Sequence, residues 1–158
     1  MTQGEIIRGR LDYAREWLDS VLPRLSEEML GLAPREGMRT ISGQLVEIIA
    51  VEAYLVPALK EGRQLSDDEV ATIVGDENSL DGLKKAMTEV RARTLGYLET
   101  LSDEELAEPV ELPQWYGAFW PKGLPRGEHF RNVAEHEFYH TGQLISYLWA
   151  RGDDPYAW

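Results

Sequence analysis

The sequence has no cysteine and only three histidines among 158 residues. Without cysteine there is no disulfide and no thiol nucleophile of the chain's own. Any thiol chemistry therefore needs a thiol carried by a small molecule. The same absence fits a reducing cytoplasm, which is the expected compartment. Positive charge is scarce as well, with 16 Lys and Arg against 28 Asp and Glu and a formal net charge of −12. A surface of that sign repels a phosphate backbone and an acidic bilayer, so neither nucleic acid nor membrane is an expected partner. No apolar run reads as long enough to cross a bilayer. The opening "MTQGEIIRGR" lacks a basic stretch followed by an apolar one, so no secretory signal is expected. Internal repeats and low-complexity tracts are missing too.

What is present is helical periodicity. After a capping-box spacing at Thr2 to Glu5, apolar residues recur at three- and four-residue steps: Ile7, Leu11, Ala14, Leu18, Val21, Leu22 and Leu25. Pro23 should end or kink this first helix. A short turn, "SEEMLGLAP", follows. A second helix is predicted from about Thr40 to Leu59, apolar nearly all round and hence the most buried, with Pro57 marking its last turn or a kink. Ser66 to Glu69 forms another capping box and starts a short helix to Val74. A third long helix is predicted from about Ser79 to Leu101, with Leu80, Leu83, Met87, Val90, Leu98 and Leu101 on one face. Ser102 caps a short piece, "SDEELAEP". Residues 110–126, "VELPQWYGAFWPKGLPR", read as an aromatic loop with room for a hairpin within 110–121. The fourth long helix runs from about Gly127 to Arg151, with Gly152 as a stop. The expected fold is all-α: one domain over 1–158, a four-helix bundle with at least one crossover connection.

The chemistry sits on the last helix. At about 100° per residue, His136 and His140 lie about 40° apart, and His129 and Gln143 share nearly the same sector. Val133, Leu144 and Tyr147 flank that stripe, so all three histidines are expected among buried residues. Imidazoles at i and i+4 can chelate one cation, and a third ligand must come from elsewhere. The second helix is the natural source, with Gln44, Glu47 and Glu52 as the strong polar groups of its body. A buried carboxylate is costly unless it is paired or bound to a metal. Each glutamate could instead face water or pair with an arginine such as Arg39 or Arg91. Glu52 points about 140° from Glu47, toward Leu45, Ile48, Leu55 and Leu59.

His136-Glu137-Phe138-Tyr139-His140 also fits the H-E-x-x-H pattern of zinc peptidases. The extended pattern would need Gly at 143 and His at 146, where this chain has Gln143 and Ser146. No glutamate follows Glu137, and no sheet edge is expected to hold a peptide. A peptidase is therefore disfavoured. Glu137 is expected at the surface or behind the ligands, and not as a general base.

"HEFYHTGQL" at 136–144 and "TISGQLVEIIAVEAYL" at 40–55 resemble the last-helix and second-helix segments of the DinB/YfiT-like superfamily. With the four-helix layout, the resemblance extends to essentially the whole chain. It implies a bundle that is frequently a homodimer and a divalent metal held by three residues. His136 and His140 match two ligands. The third, usually histidine in that family, falls on Glu47 here. Glutamate ligates zinc, nickel, manganese or iron, and a set of two histidines and one carboxylate also occurs in non-haem iron enzymes. Gln44, Glu52, His129 and Gln143 become supporting or substrate-contact candidates. The resemblance further implies a small-molecule substrate and a low-molecular-weight thiol such as bacillithiol, mycothiol or glutathione. The expectation is a thiol-dependent S-transferase or related enzyme. A non-catalytic, stress-associated dimeric binding protein and a metal-dependent hydrolase or oxygenase stand as alternatives. Trp115, Tyr116, Phe119 and Trp120 could wall a substrate pocket or simply pack on the bundle, and the terminal "YAW" could cover an apolar patch.

Overall fold

A computed structural model describes residues 1–113 and 122–158. Helix α1 is Gln3–Val21, α2 is Ile41–Glu61, α3 is Asp67–Val74, α4 is Leu80–Leu98, α5 is Asp103–Ala107 and α6 is Arg126–Trp149. Among the described residues there is no strand; one antiparallel bridge joins Pro109 and Pro125. That bridge flanks the stretch 110–121 in which a hairpin is expected, and lies outside it. Residues 114–121 of that stretch, including Trp115, Tyr116, Phe119 and Trp120, lie outside the described residues.

Local chemistry sets the boundaries. Thr2, Ser66 and Ser102 accept from the N3 amides of α1, α3 and α5, with Glu5, Glu69 and Glu105 reaching back to close each capping box. Thr40 and Ser79 cap α2 and α4. Helix α1 stops at Val21, just before the X-Pro step, and Leu22–Arg24 form a 3-10 turn around Pro23. Helix α2 instead runs one turn past Pro57 and ends where Gly62 takes the left-handed region at φ 63°. At the start of α6, a Cβ on Gly127 would lie 3.1 Å from Ile7 Cδ1 and 3.3 Å from the Leu106 carbonyl. Glycine there lets α6 begin in close contact with α1 and α5.

The four long helices form the bundle. Helix α6 packs along α1 on one side and along α2 on the other, and α4 packs on α2. Paired residues fix the directions. Arg15 meets Glu137 and Arg24 meets Asp153, so α1 and α6 run parallel. Gln44 meets Tyr147 while Glu52 shares Arg91 with Glu137, so α2 runs antiparallel to α6. Ser42 meets the Glu77 carbonyl and Glu52 meets Arg91, so α2 and α4 run parallel. Parallel neighbours need a crossover, and the connection that carries α3 supplies it. The C-terminal tail folds back, with Arg24 4.3 Å over the Trp158 ring and Trp158 Nε1 donating to Asp153.

Helix α2 corrects one expectation: by length and composition it could cross a bilayer. Hydropathy sums residues without regard to their neighbours. Here the apolar surface faces bundle partners, with Leu45, Ile49 and Leu55 fully buried.

Most of the core lies in two apolar clusters, with a smaller third of Tyr54, Ala58 and Leu65. One gathers Leu18, Val21, Leu45, Ile48, Ile49, Met87, Val90 and Leu144, and the other gathers Ile7, Leu11, Ala14, Leu55, Leu98, Phe130 and Val133. On every long helix a charged residue at the boundary between these two clusters turns inward: Arg15, Glu52, Arg91 and Glu137. Arg91 Nε donates to Glu52 Oε1 at 2.7 Å, Arg91 Nη2 donates to Glu52 Oε2 at 3.2 Å, and Arg91 also binds Glu137. Arg15 Nε donates to Glu137 at 2.6 Å. Two carboxylates, both about 1% exposed, thus share two guanidiniums across the middle of the bundle. Such a layer fixes helix register, because a slip by one turn would strand a buried charge.

Candidate metal centre

The i, i+4 spacing on α6 brings the rings of His136 and His140 to 4.4 Å between centroids, with their Nε2 atoms 3.0 Å apart. Two nitrogens each about 2.0–2.1 Å from one zinc ion must lie roughly 3 Å apart, so this spacing suits a shared cation. Glu47 enters from the antiparallel helix α2. One donor atom from each of Glu47, His136 and His140 lies within 4.8 Å of the other two. Glu47 is 37% exposed, and its carboxylate accepts from Arg39 at 3.0 Å.

Hydrogen bonds set the tautomer of His140. Its Nδ1 lies against two amide oxygens, Gln44 Oε1 and Gln143 Oε1, the latter at 3.1 Å. Both oxygens are acceptors, so Nδ1 carries the proton and Nε2 keeps its lone pair toward His136. The arrangement continues inward. Gln44 Nε2 donates to the Tyr147 hydroxyl at 3.0 Å, and Tyr147 donates to the Arg39 carbonyl at 2.9 Å. A ring held this way presents a fixed lone pair to a metal. Gln44 and Gln143 therefore both stand beside Nδ1 of His140.

Electrostatics keep the pair neutral. Burial, then His140 and Arg39, push the His136 imidazole down to about 4. Burial likewise lowers His140; Arg39 adds to that, while Glu47 and Gln143 oppose it. Neutral imidazoles are the form that ligates a cation. The donor set, the tautomer and the ionisation all fit a divalent metal, with Arg39 as the competing cation.

The remaining candidates lie elsewhere. Glu52 belongs to the buried ion layer, bound to Arg91 and Arg15 on a different face of α2 from Glu47. His129 is 2% exposed and sits seven residues before His136, about 10 Å along the helix. It is outside the three-residue group; burial lowers its pKa, and the Leu124 backbone and Glu128 oppose that shift. Glu137 is neither at the surface nor behind the ligands: it is buried in the ion layer. Its carboxylate is taken up by two arginines, which removes the general base a zinc peptidase would need. Sequence reasoning missed Arg15 and the part played by Tyr147. The signal for Arg15 was its place four residues after Leu11, at the edge of the apolar stripe of α1.

Comparison with known proteins bears on these expectations. A family profile described as "DinB superfamily" matches residues 10–144. Among solved structures, the colibactin self-resistance protein ClbS in complex with dsDNA superposes with a TM-score of 0.67 at 14% identity, over 92% of this chain and 94% of that one. A conserved protein of a locus from Enterococcus faecalis superposes with a TM-score of 0.70 at 15% identity, over 92% and 95%. No curated protein matches by sequence. The ClbS complex overturns the expectation that a chain of this kind has no nucleic-acid partner. That expectation rested on the net charge of −12. Net charge is a sum over the whole surface, whereas a duplex meets only a local patch of it.

Proposed function

This chain belongs to the DinB superfamily, and on that premise we propose that Glu47, His136 and His140 hold a divalent cation serving thiol-dependent group transfer to a small electrophile. The observation that carries this reading is the convergence of the three donors, with the two Nε2 atoms 3.0 Å apart. When bound, the cation supplies Lewis acidity, which lowers the pKa of a thiol or water beside it. The rest is the work of the chain. Burial keeps both imidazoles uncharged at neutral pH. Gln44 and Gln143 hold the Nδ1 proton of His140, so its lone pair stays aimed at the centre. Glu47 brings one negative charge, so the centre acidifies a thiol less than three imidazoles would. Arg39 brackets Glu47 and offers a positive charge to an anionic group entering beside the metal. Because the chain lacks cysteine, the sulfur must arrive with a low-molecular-weight thiol.

The test loads the protein, purified without chelator or affinity nickel, with zinc, nickel, manganese or iron. Bound metal is measured, then thiol loss with a panel of electrophiles, beside ester hydrolysis and oxygen uptake. The proposal expects one metal per chain, and thiol loss that disappears in His136→Ala. A chain that takes up none of the four metals sinks it. Activity only in the ester or oxygen assay replaces transfer with hydrolysis or oxygenation at the same centre.

A further inference from the structure

A cavity of about 350 Å³ opens between α2, α3 and α4. None of Glu47, His136 and His140 lines it. Its volume falls in the range of small-molecule sites, about 300–1,000 Å³. Ala53, Val56, Leu65, Ile73 and Val90 give it mainly apolar walls. Its inner end reaches Glu52, whose carboxylate is already saturated by Arg91 and Arg15.

Two polar groups at this cavity are not saturated. Thr94 lines it and is fully buried, yet its hydroxyl has no hydrogen-bond partner among the described residues. A buried hydroxyl with no partner is destabilising, and native proteins seldom keep one without a use. Arg93, one residue earlier on α4, also lines the cavity and is exposed, and it has no carboxylate partner among the described residues. The other arginine of the wall, Arg63, is held by Glu61 and Glu69. In a chain with a net charge of −12, an uncommitted guanidinium beside an apolar cavity is a specific anion hook.

We propose that this cavity is a second binding site, separate from the metal centre, for a small carboxylic acid whose apolar body bears a hydroxyl or oxo group. The carboxylate meets Arg93, the apolar body fills the space between α2 and α3, and the oxygen function satisfies Thr94. The site depends on the crossover that carries α3, whose Ile73 and Thr72 form its outer wall.

The experiment is calorimetric titration of the whole chain with 3-hydroxyoctanoate, octanoate and octanol. The hydroxy acid should bind about tenfold more tightly than octanoate, and octanol most weakly. Thr94→Val should erase the difference between the two acids and leave the fold intact, since it removes an unpartnered hydroxyl. Arg93→Gln should weaken both acids about tenfold and leave octanol unchanged. Ile73→Trp, which fills the cavity, should abolish binding of all three, whereas His136→Ala should change none. The proposal is overturned if the parent chain shows no binding of the hydroxy acid at millimolar concentration. It is equally overturned if Ile73→Trp binds like the parent, or if His136→Ala removes the binding.

Discussion

Replacing Arg91 by Met tests the central ion layer directly. The change keeps most of the side-chain volume and removes the charge. It leaves Glu52 and Glu137, each about 1% exposed, with Arg15 alone for a partner. It also removes the donor to the Leu11 carbonyl, 2.6 Å from Arg91 Nη1. Breaking a buried pair from one side costs about 3–5 kcal/mol. Arg15 remains 2.6 Å from Glu137 and 3.5 Å from Glu52, which places the loss at the low end, about 3 kcal/mol. For a chain of this length the unfolding entropy near the midpoint is roughly 0.33 kcal/mol/K, so Tm should fall by about 9 °C. The assay is thermal unfolding by circular dichroism at pH 7. Adding Glu52→Gln to Arg91→Met should recover part of the loss at pH 7. A single variant that melts within about 2 °C of the parent at pH 7 would refute the reasoning. The layer would then be worth no more than a surface pair.

Other outcomes follow from the same geometry. Gln44→Leu, which removes one acceptor from His140 Nδ1, should weaken metal binding about tenfold or more without unfolding the chain, read by competition with a chromophoric chelator. Arg39→Gln should strengthen metal binding severalfold, because it frees Glu47 and removes a cation from beside the centre; weaker binding in that assay would show that Arg39 organises the site. In the metal-free protein, His136 titrates at about 4 when folded and near 6.5 when unfolded. The unfolded chain therefore takes up its proton first as pH falls. The stabilising contribution is complete above pH 6.5 and is lost as pH drops through about 4, a change of about 3 kcal/mol. Urea unfolding across that window should show the decline, and His136→Gln should flatten it.

The helices were legible because their signals are local. Capping boxes at Thr2, Ser66 and Ser102 and the apolar stripes place the elements within a few residues. The histidine pair was legible for the same reason, since one helix turn alone brings His136 beside His140. Glu47 was singled out as the third ligand candidate only through resemblance to known second-helix segments. Helix periodicity by itself left Gln44, Glu47 and Glu52 open. Glu137 was misplaced because the pattern fixes its angle on α6 but says nothing of what waits at that angle.

Taken alone, the sequence determined which residues turn together: hydrogen bonding and side-chain spacing act within a few positions, so each helix and its faces follow from its own letters. The tertiary structure decided what each face meets. The order of helices around the bundle sends Glu47 toward two imidazoles and Glu52 toward two guanidiniums, although both glutamates lie on one rod only five residues apart. A buried charge settles where an opposite charge comes within reach, and that reach is set by neighbours distant in the chain.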